Sequence, residues 1–182
     1  MTKTGLRFMA FWQRIKYRIS QRVTRVDKPE VQPAASFAEI VIRVAYGGLY
    51  RKDGRKDRML HPRLVQARIN AGDIRLGDCE DHAAYWIACL IKSKLADEVL
   101  LGNLQFKDHG ERAGHAVVVF KADGDWYWAD YNMPSLLPSR DAWADAVLAI
   151  YGDELVGGVL THVGLNHDDT INFNESILYP KT

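Results

Sequence analysis

The chain has 182 residues, 47% of them hydrophobic and 26% charged, which excludes a disordered polyelectrolyte and suits a globular domain with a full core. Its two cysteines exclude a disulfide scaffold and a four-cysteine zinc module. The net charge of +1 hides an asymmetry: residues 1–28 carry +7 and the remaining 154 carry −6, so the body offers no electrostatic footprint for nucleic acid.

Residues 5–26 have helical periodicity. Phe8, Trp12, Ile15, Ile19 and Val26 recur at three-, four- and seven-residue steps, with Val23 beside them and Arg7, Arg14, Arg18, Arg22 and Arg25 mostly on the other side. Such a basic helix either packs on its own acidic domain or docks on an acidic partner or an anionic membrane surface. The longest uncharged run near the start, Phe8 to Gln13, is shorter than a secretory apolar core of about 7–15 residues, and no run approaches the ~18 of a membrane span. The expectation is a cytoplasmic protein. Val26–Ala35, with two prolines, reads as a linker. The expected organisation is thus a helix at 1–28, a linker at 29–35 and one domain at 36–182.

Ser36 is placed to cap a helix through Phe37, Ile40, Val41 and Val44, stopped by Gly47–Gly48. Residues 51–63 read as a charged loop. Asp78 is placed to cap a helix from near Cys79, with Asp81 in the capping-box position and Ala83, Trp86, Ile87, Leu90 and Ile91 as its buried stripe. Strands are expected at 99–106, 115–121 and 126–132, the last two joined through Asp123–Gly124. A helix over 139–151 closed by Gly152, and strands at 155–163 and 171–179, complete the chain, with Gly157–Gly158 marking a bulge. Helices followed by mostly antiparallel strands make an α+β fold.

Cys79 stands where a thiol becomes reactive, because the first turn of a helix presents unpaired N–H groups and a partial positive charge. Cys89 lies ten residues along the same helix among apolar neighbours and reads as an inert core residue, roughly 15 Å away and too far for a disulfide. A nucleophilic cysteine needs a base, and the base an orienter. A two-residue turn at Asp123–Gly124 pairs 122 with 125 and, by extension, 115 with 132. Asn132 and Asp130 then share a face with His115. Asp130 is the better orienter because an anion stabilises the imidazolium; Asn132 is its rival.

The segments Gly77-Asp78-Cys79-Glu80-Asp81-His82-Ala83, Gly114-His115-Ala116-Val117 and Trp128-Ala129-Asp130 resemble the transglutaminase-like branch of the papain-like cysteine enzymes. The resemblance is closest to the bacterial transglutaminase-like cysteine proteinases, whose periplasmic members cut large surface adhesins, and it spans about residues 40–135. It implies a papain-like core with the cysteine helix packed on an antiparallel sheet. It also implies Cys79 as nucleophile, His115 as general base and acid, and Asp130 as orienter. It further implies calcium at Asp78, Glu80 and Asp81, carboxylates that suit a hard cation but also suit a helix N-terminus. Those anions would hinder thiolate formation unless a cation or His115 offset them.

No cofactor is required for such chemistry. His82, three residues after Cys79, raises a zinc alternative with few further ligands. For an oxyanion, papain-like enzymes use a side chain upstream of the cysteine; the nearby glutamine is Gln66, and the Cys79 N–H is the other donor. The expected activity is hydrolysis of peptide or isopeptide amides through a thioester, on a protein or peptide substrate. Alternatives are amine-accepting transamidation, a transglutaminase-like binding module, and an acyltransferase resembling the arylamine N-acetyltransferases, the last lacking a phosphate-cradling glycine loop.

Overall fold

The computed structural model describes residues 3–24, 28–46, 59–73, 77–131 and 134–179. Four helices come first: α1 (Lys3–Thr24), α2 (Phe37–Tyr46), α3 (Pro62–Asn70) and α4 (Cys79–Ser93). Strands β1 (Glu98–Asp108), β2 (Glu111–Ala122), β3 (Asp125–Ala129) and β4 (Ser135–Leu137) follow, then α5 (Trp143–Tyr151), β5 (Glu154–Leu165) and β6 (Ile171–Tyr179). The six strands form one antiparallel sheet in the order β4-β3-β2-β1-β5-β6, so the fold is α+β.

Tight turns set the registers. Asp123 and Gly124 both have positive φ, and Ala122 pairs with Asp125, as the two-residue turn requires. A second such turn at His109–Gly110 joins β1 to β2 and carries both strands beyond the limits expected for them. The bulge on β5 falls at Val156, one residue before Gly157: Gln105 pairs with Gly157 while Phe106 pairs with Leu155.

Both faces of the sheet are covered, which is why β2 reads as a near-continuous apolar run. On one face Ala83, Ile87 and Leu90 of α4 pack with Ala116, Val118 and Phe120. On the other, Trp143 and Val147 of α5 pack with Val117, Val119 and Leu160. Helix α5 lies close: a Cβ on Gly102 would stand 2.8 Å from the Trp143 ring, and one on Gly152 would stand 2.3 Å from the Phe106 ring. These approaches fix where α5 ends.

Several elements differ from expectation: β3 ends at Ala129 rather than 132, β4 is additional, and α5 begins at Trp143 rather than 139. Helix α3 occupies residues read partly as loop; Pro62 opens it and His61 caps it by accepting the Arg63 N–H at 3.2 Å, a cap that sequence rules do not assign to histidine. Residues 51–58, the bulk of that loop, and Gly47–Gly48 lie outside the described residues. The linker is packed, with Val31 and Ala34 buried and their N–H groups donating to Asp169 and Ser93. Helix α1 lies on the domain by the face opposite the expected one. Leu6, Ala10, Tyr17 and Ser20 are buried, while Phe8, Trp12 and Ile19 are exposed. Arg14 and Arg18 steer this orientation by donating to the carbonyls of Asn174 and Phe173 on the edge strand β6, at 2.8 and 3.1 Å.

Candidate active site

The start of α4 is built by two carboxylates and a glycine. Asp78 accepts the Glu80 N–H at 3.0 Å, and Asp81 accepts the Asp78 N–H at 3.2 Å, closing the expected capping box. The other oxygen of the buried Asp81 accepts the Leu60 N–H at 2.6 Å. Gly77 has φ +145°, and a Cβ there would stand 1.8 Å from Asp81 Oδ2, so the box requires glycine. Cys79 is therefore the first helical residue, partly exposed and at the positive end of the helix dipole. Cys89 is buried, and burial pushes its thiol pKa up to about 12, with hydrogen bonding to Tyr85 and the charge of Arg43 opposing.

His115 and Asp130 meet. Nε2 of His115 lies 3.4 Å from Asp130 Oδ2, and both residues are buried. Asp130 also accepts the Tyr131 N–H at 2.5 Å and the Tyr151 hydroxyl. Burial pushes the Asp130 carboxyl pKa up, but hydrogen bonds from His115, Tyr151 and Tyr131 outweigh it and hold the group below its ordinary value. With Nε2 facing the carboxylate, Nδ1 is the ring nitrogen left for a thiol. The β2–β3 ladder stops at Val118–Ala129, so His115 lies on a stretch of β2 where β3 has ended, and Asp130 directly follows the last β3 residue. The rival orienter Asn132 lies outside the described residues.

Through this gap the two faces of the sheet communicate. The Tyr131 ring sits edge-on to His82 of α4 at 4.7 Å and 5.8 Å from His115. Tyr151, the last residue of α5, places its ring 4.1 Å from that of His115. Its phenol pKa is raised by burial first, then by Asp130, with a smaller contribution from Cys79. Tyr151 is thus bonded to Asp130 and packed on His115. Its sequence position at a helix end gave no sign of this, because tertiary packing of α5 brings it there.

His82 is the other unanticipated part. It is buried, and among the described residues neither ring nitrogen has a hydrogen-bond partner. Burial lowers its pKa to about 4, with the Asp130 charge opposing, so the ring is neutral at pH 7.

The acids around Cys79 are held by protein donors. Asp78 and Asp81 accept backbone N–H groups, as above. Glu80 is held by α1: its carboxylate lies 3.3 and 3.4 Å from Lys16 Nζ and 2.7 Å from the Tyr17 hydroxyl, which also reaches Asn103 at 2.7 Å. Each carboxylate is satisfied by a different protein donor, and among the described residues no group of three His, Cys, Asp or Glu is set to hold a metal. Calcium at Asp78, Glu80 and Asp81, and zinc at Cys79 and His82, are therefore not assigned by this arrangement. Among the described residues Lys16, from the helix expected at 1–28, is a cation beside these acids. Gln66 is buried between helices, its amide oxygen accepting from Tyr85 at 2.9 Å and from the Gln32 N–H at 3.1 Å, and its amide nitrogen donating to Asn70 at 2.8 Å. Its contacts are those of packing, whereas the Cys79 N–H is supplied by the helix start itself.

No family model matches the chain, and no curated protein matches it.

Proposed function

We propose that the protein is a cysteine hydrolase of peptide or isopeptide amides, built on a transglutaminase-like, papain-like core. The observation that carries this reading is the His115–Asp130 couple, held by Tyr151, in a chain whose Cys79 is partly exposed at a helix N-terminus. In this reading the Cys79 thiolate attacks the carbonyl carbon. A carbon–sulfur bond forms, and the carbonyl electron pair moves to oxygen, where the Cys79 N–H stabilises it. Protonated His115 gives its proton to the amide nitrogen as the carbon–nitrogen bond breaks, leaving a thioester. Neutral His115 then takes a proton from water, which attacks the thioester and releases the acid. An amine in place of water would give transamidation by the same steps. Asp130 steadies the imidazolium, and Tyr151 acts as a positioning residue by fixing the carboxylate and bracing the ring.

Incubating the full chain with a diverse peptide mixture and reading the products by mass spectrometry tests this. New termini in the wild type and none in Cys79→Ala support hydrolysis, and mass additions from a supplied amine mark transamidation. Products persisting in Cys79→Ala, or no products with a stable complex formed by both forms, would replace the enzyme reading with that of a binding module.

A further inference from the structure

We propose that the outward face of α1 seats on an anionic lipid surface, independently of the chemistry assigned to Cys79. The helix has two opposed faces. One is docked through Leu6, Ala10 and Tyr17. The other presents Phe8 at 64%, Phe11 at 51%, Trp12 at 51% and Ile19 at 56% exposure. Phe8 and Phe11 each contact Trp12 edge-on at 5.9 Å, so the rings form a continuous patch rather than isolated side chains. Phe8 to Ile19 is eleven helical steps, about 16 Å along the axis. Since the opposite face already holds the domain, this patch is not a core surface left unused by chance orientation: the arginines that seat the helix also turn the aromatic side out.

The charge around the patch selects the occupant. Arg7 is exposed, and Arg14 and Arg18 donate to backbone carbonyls, which carry no net charge to cancel theirs. Among the described residues none of the three pairs with a carboxylate, whereas Lys16 on the docked side pairs with Glu80. Arg7, Arg14 and Arg18 therefore present positive charge that no carboxylate among the described residues cancels. A second copy docking α1 on α1 would bring two such charges together around the aromatic patch and be opposed electrostatically. An anionic bilayer satisfies both features: the rings enter the interface while the arginines meet headgroups. The net −6 of the remaining chain is repelled by the same surface and orients the molecule α1-first. No helix among the described residues is long and apolar enough to cross a membrane, so this association lies on the surface.

Co-sedimentation of the full chain tests the proposal, using vesicles of phosphatidylcholine alone and of phosphatidylcholine with about one-third phosphatidylglycerol. The wild type should partition at least about tenfold more strongly onto the anionic vesicles and lose most of that binding in high salt. The double variant Phe8→Ser/Trp12→Ser should lose at least about tenfold in partitioning, since two exposed rings leave the interface. Both substitutions are at exposed positions, and an unchanged melting curve verifies the fold. Brominated lipid should quench tryptophan emission in the wild type and less in Trp12→Phe. Equal partitioning onto both vesicle types would overturn the proposal, as would undiminished binding by the double variant or quenching indifferent to Trp12. A wild-type dimer dissociated by the double variant, with no vesicle binding, would assign the patch to self-association instead.

Discussion

Replacing His82 with leucine should remove a defined part of the protein's acid sensitivity. Burial holds the ring pKa at about 4 against an ordinary 6.5. Between those pH values the unfolded chain binds a proton that the folded chain refuses, so stability falls as pH drops below about 6.5 and levels off below about 4. At 1.36 kcal/mol per pKa unit the loss sums to roughly 3 kcal/mol. Leucine cannot titrate, and because neither ring nitrogen has a partner among the described residues, its introduction strands no donor or acceptor there. The cost at neutral pH is the edge contact with Tyr131 and a modest change of shape, about 1 kcal/mol. Urea unfolding of both proteins from about pH 7.5 to 4.5 measures the difference. The wild type should lose about 2–3 kcal/mol relative to the variant over that range. Parallel curves would refute the reasoning, as would a neutral-pH loss far above 1 kcal/mol, which would mean that the ring nitrogens are hydrogen-bonded after all.

Tyr151→Phe removes the hydroxyl held by Asp130 and leaves the ring on His115, so turnover of a cleaved peptide should fall about tenfold, matching a charge-assisted hydrogen bond of about 1.5 kcal/mol, with little change in KM. Gly77→Ala drives a Cβ into Asp81 and breaks the box, and chemical denaturation should report a loss of about 2–4 kcal/mol. Lys16→Met leaves Glu80 without its ammonium beside Cys79, and alkylation of the thiol at neutral pH should slow by about twofold to tenfold.

The parts of the site that follow from local rules were legible in the sequence. The Asp78–Asp81 capping box places Cys79 on the helix, and Asp123–Gly124 sets the β2–β3 register as far as Val118–Ala129, where the ladder ends short of the expected 115–132 pairing; both depend on residues a few positions apart. Helix α3 was missed because a histidine cap has no standing among sequence signals. Helix α1 presents an apolar stripe and a second, mixed face, and periodicity alone does not tell which one docks. The choice rests on Arg14 and Arg18 reaching β6, about 160 residues away in sequence. Tyr151 and His82 enter the site through close packing of α5 on glycines and the Tyr131 ring between strands and helix. Neither contact has a local signature. The acids that suggested calcium illustrate the converse, since their spacing serves a helix start equally well, and Lys16 and Tyr17 take up Glu80.

The most direct test of the central claim is the rate of iodoacetamide alkylation, with the modified cysteine located by mass spectrometry, in the wild type and in His115→Ala. Cys79 should be modified ahead of Cys89 and should slow at least about tenfold without the imidazole. A Cys79 no faster than a free cysteine in an unstructured peptide, and indifferent to His115→Ala, would contradict the account.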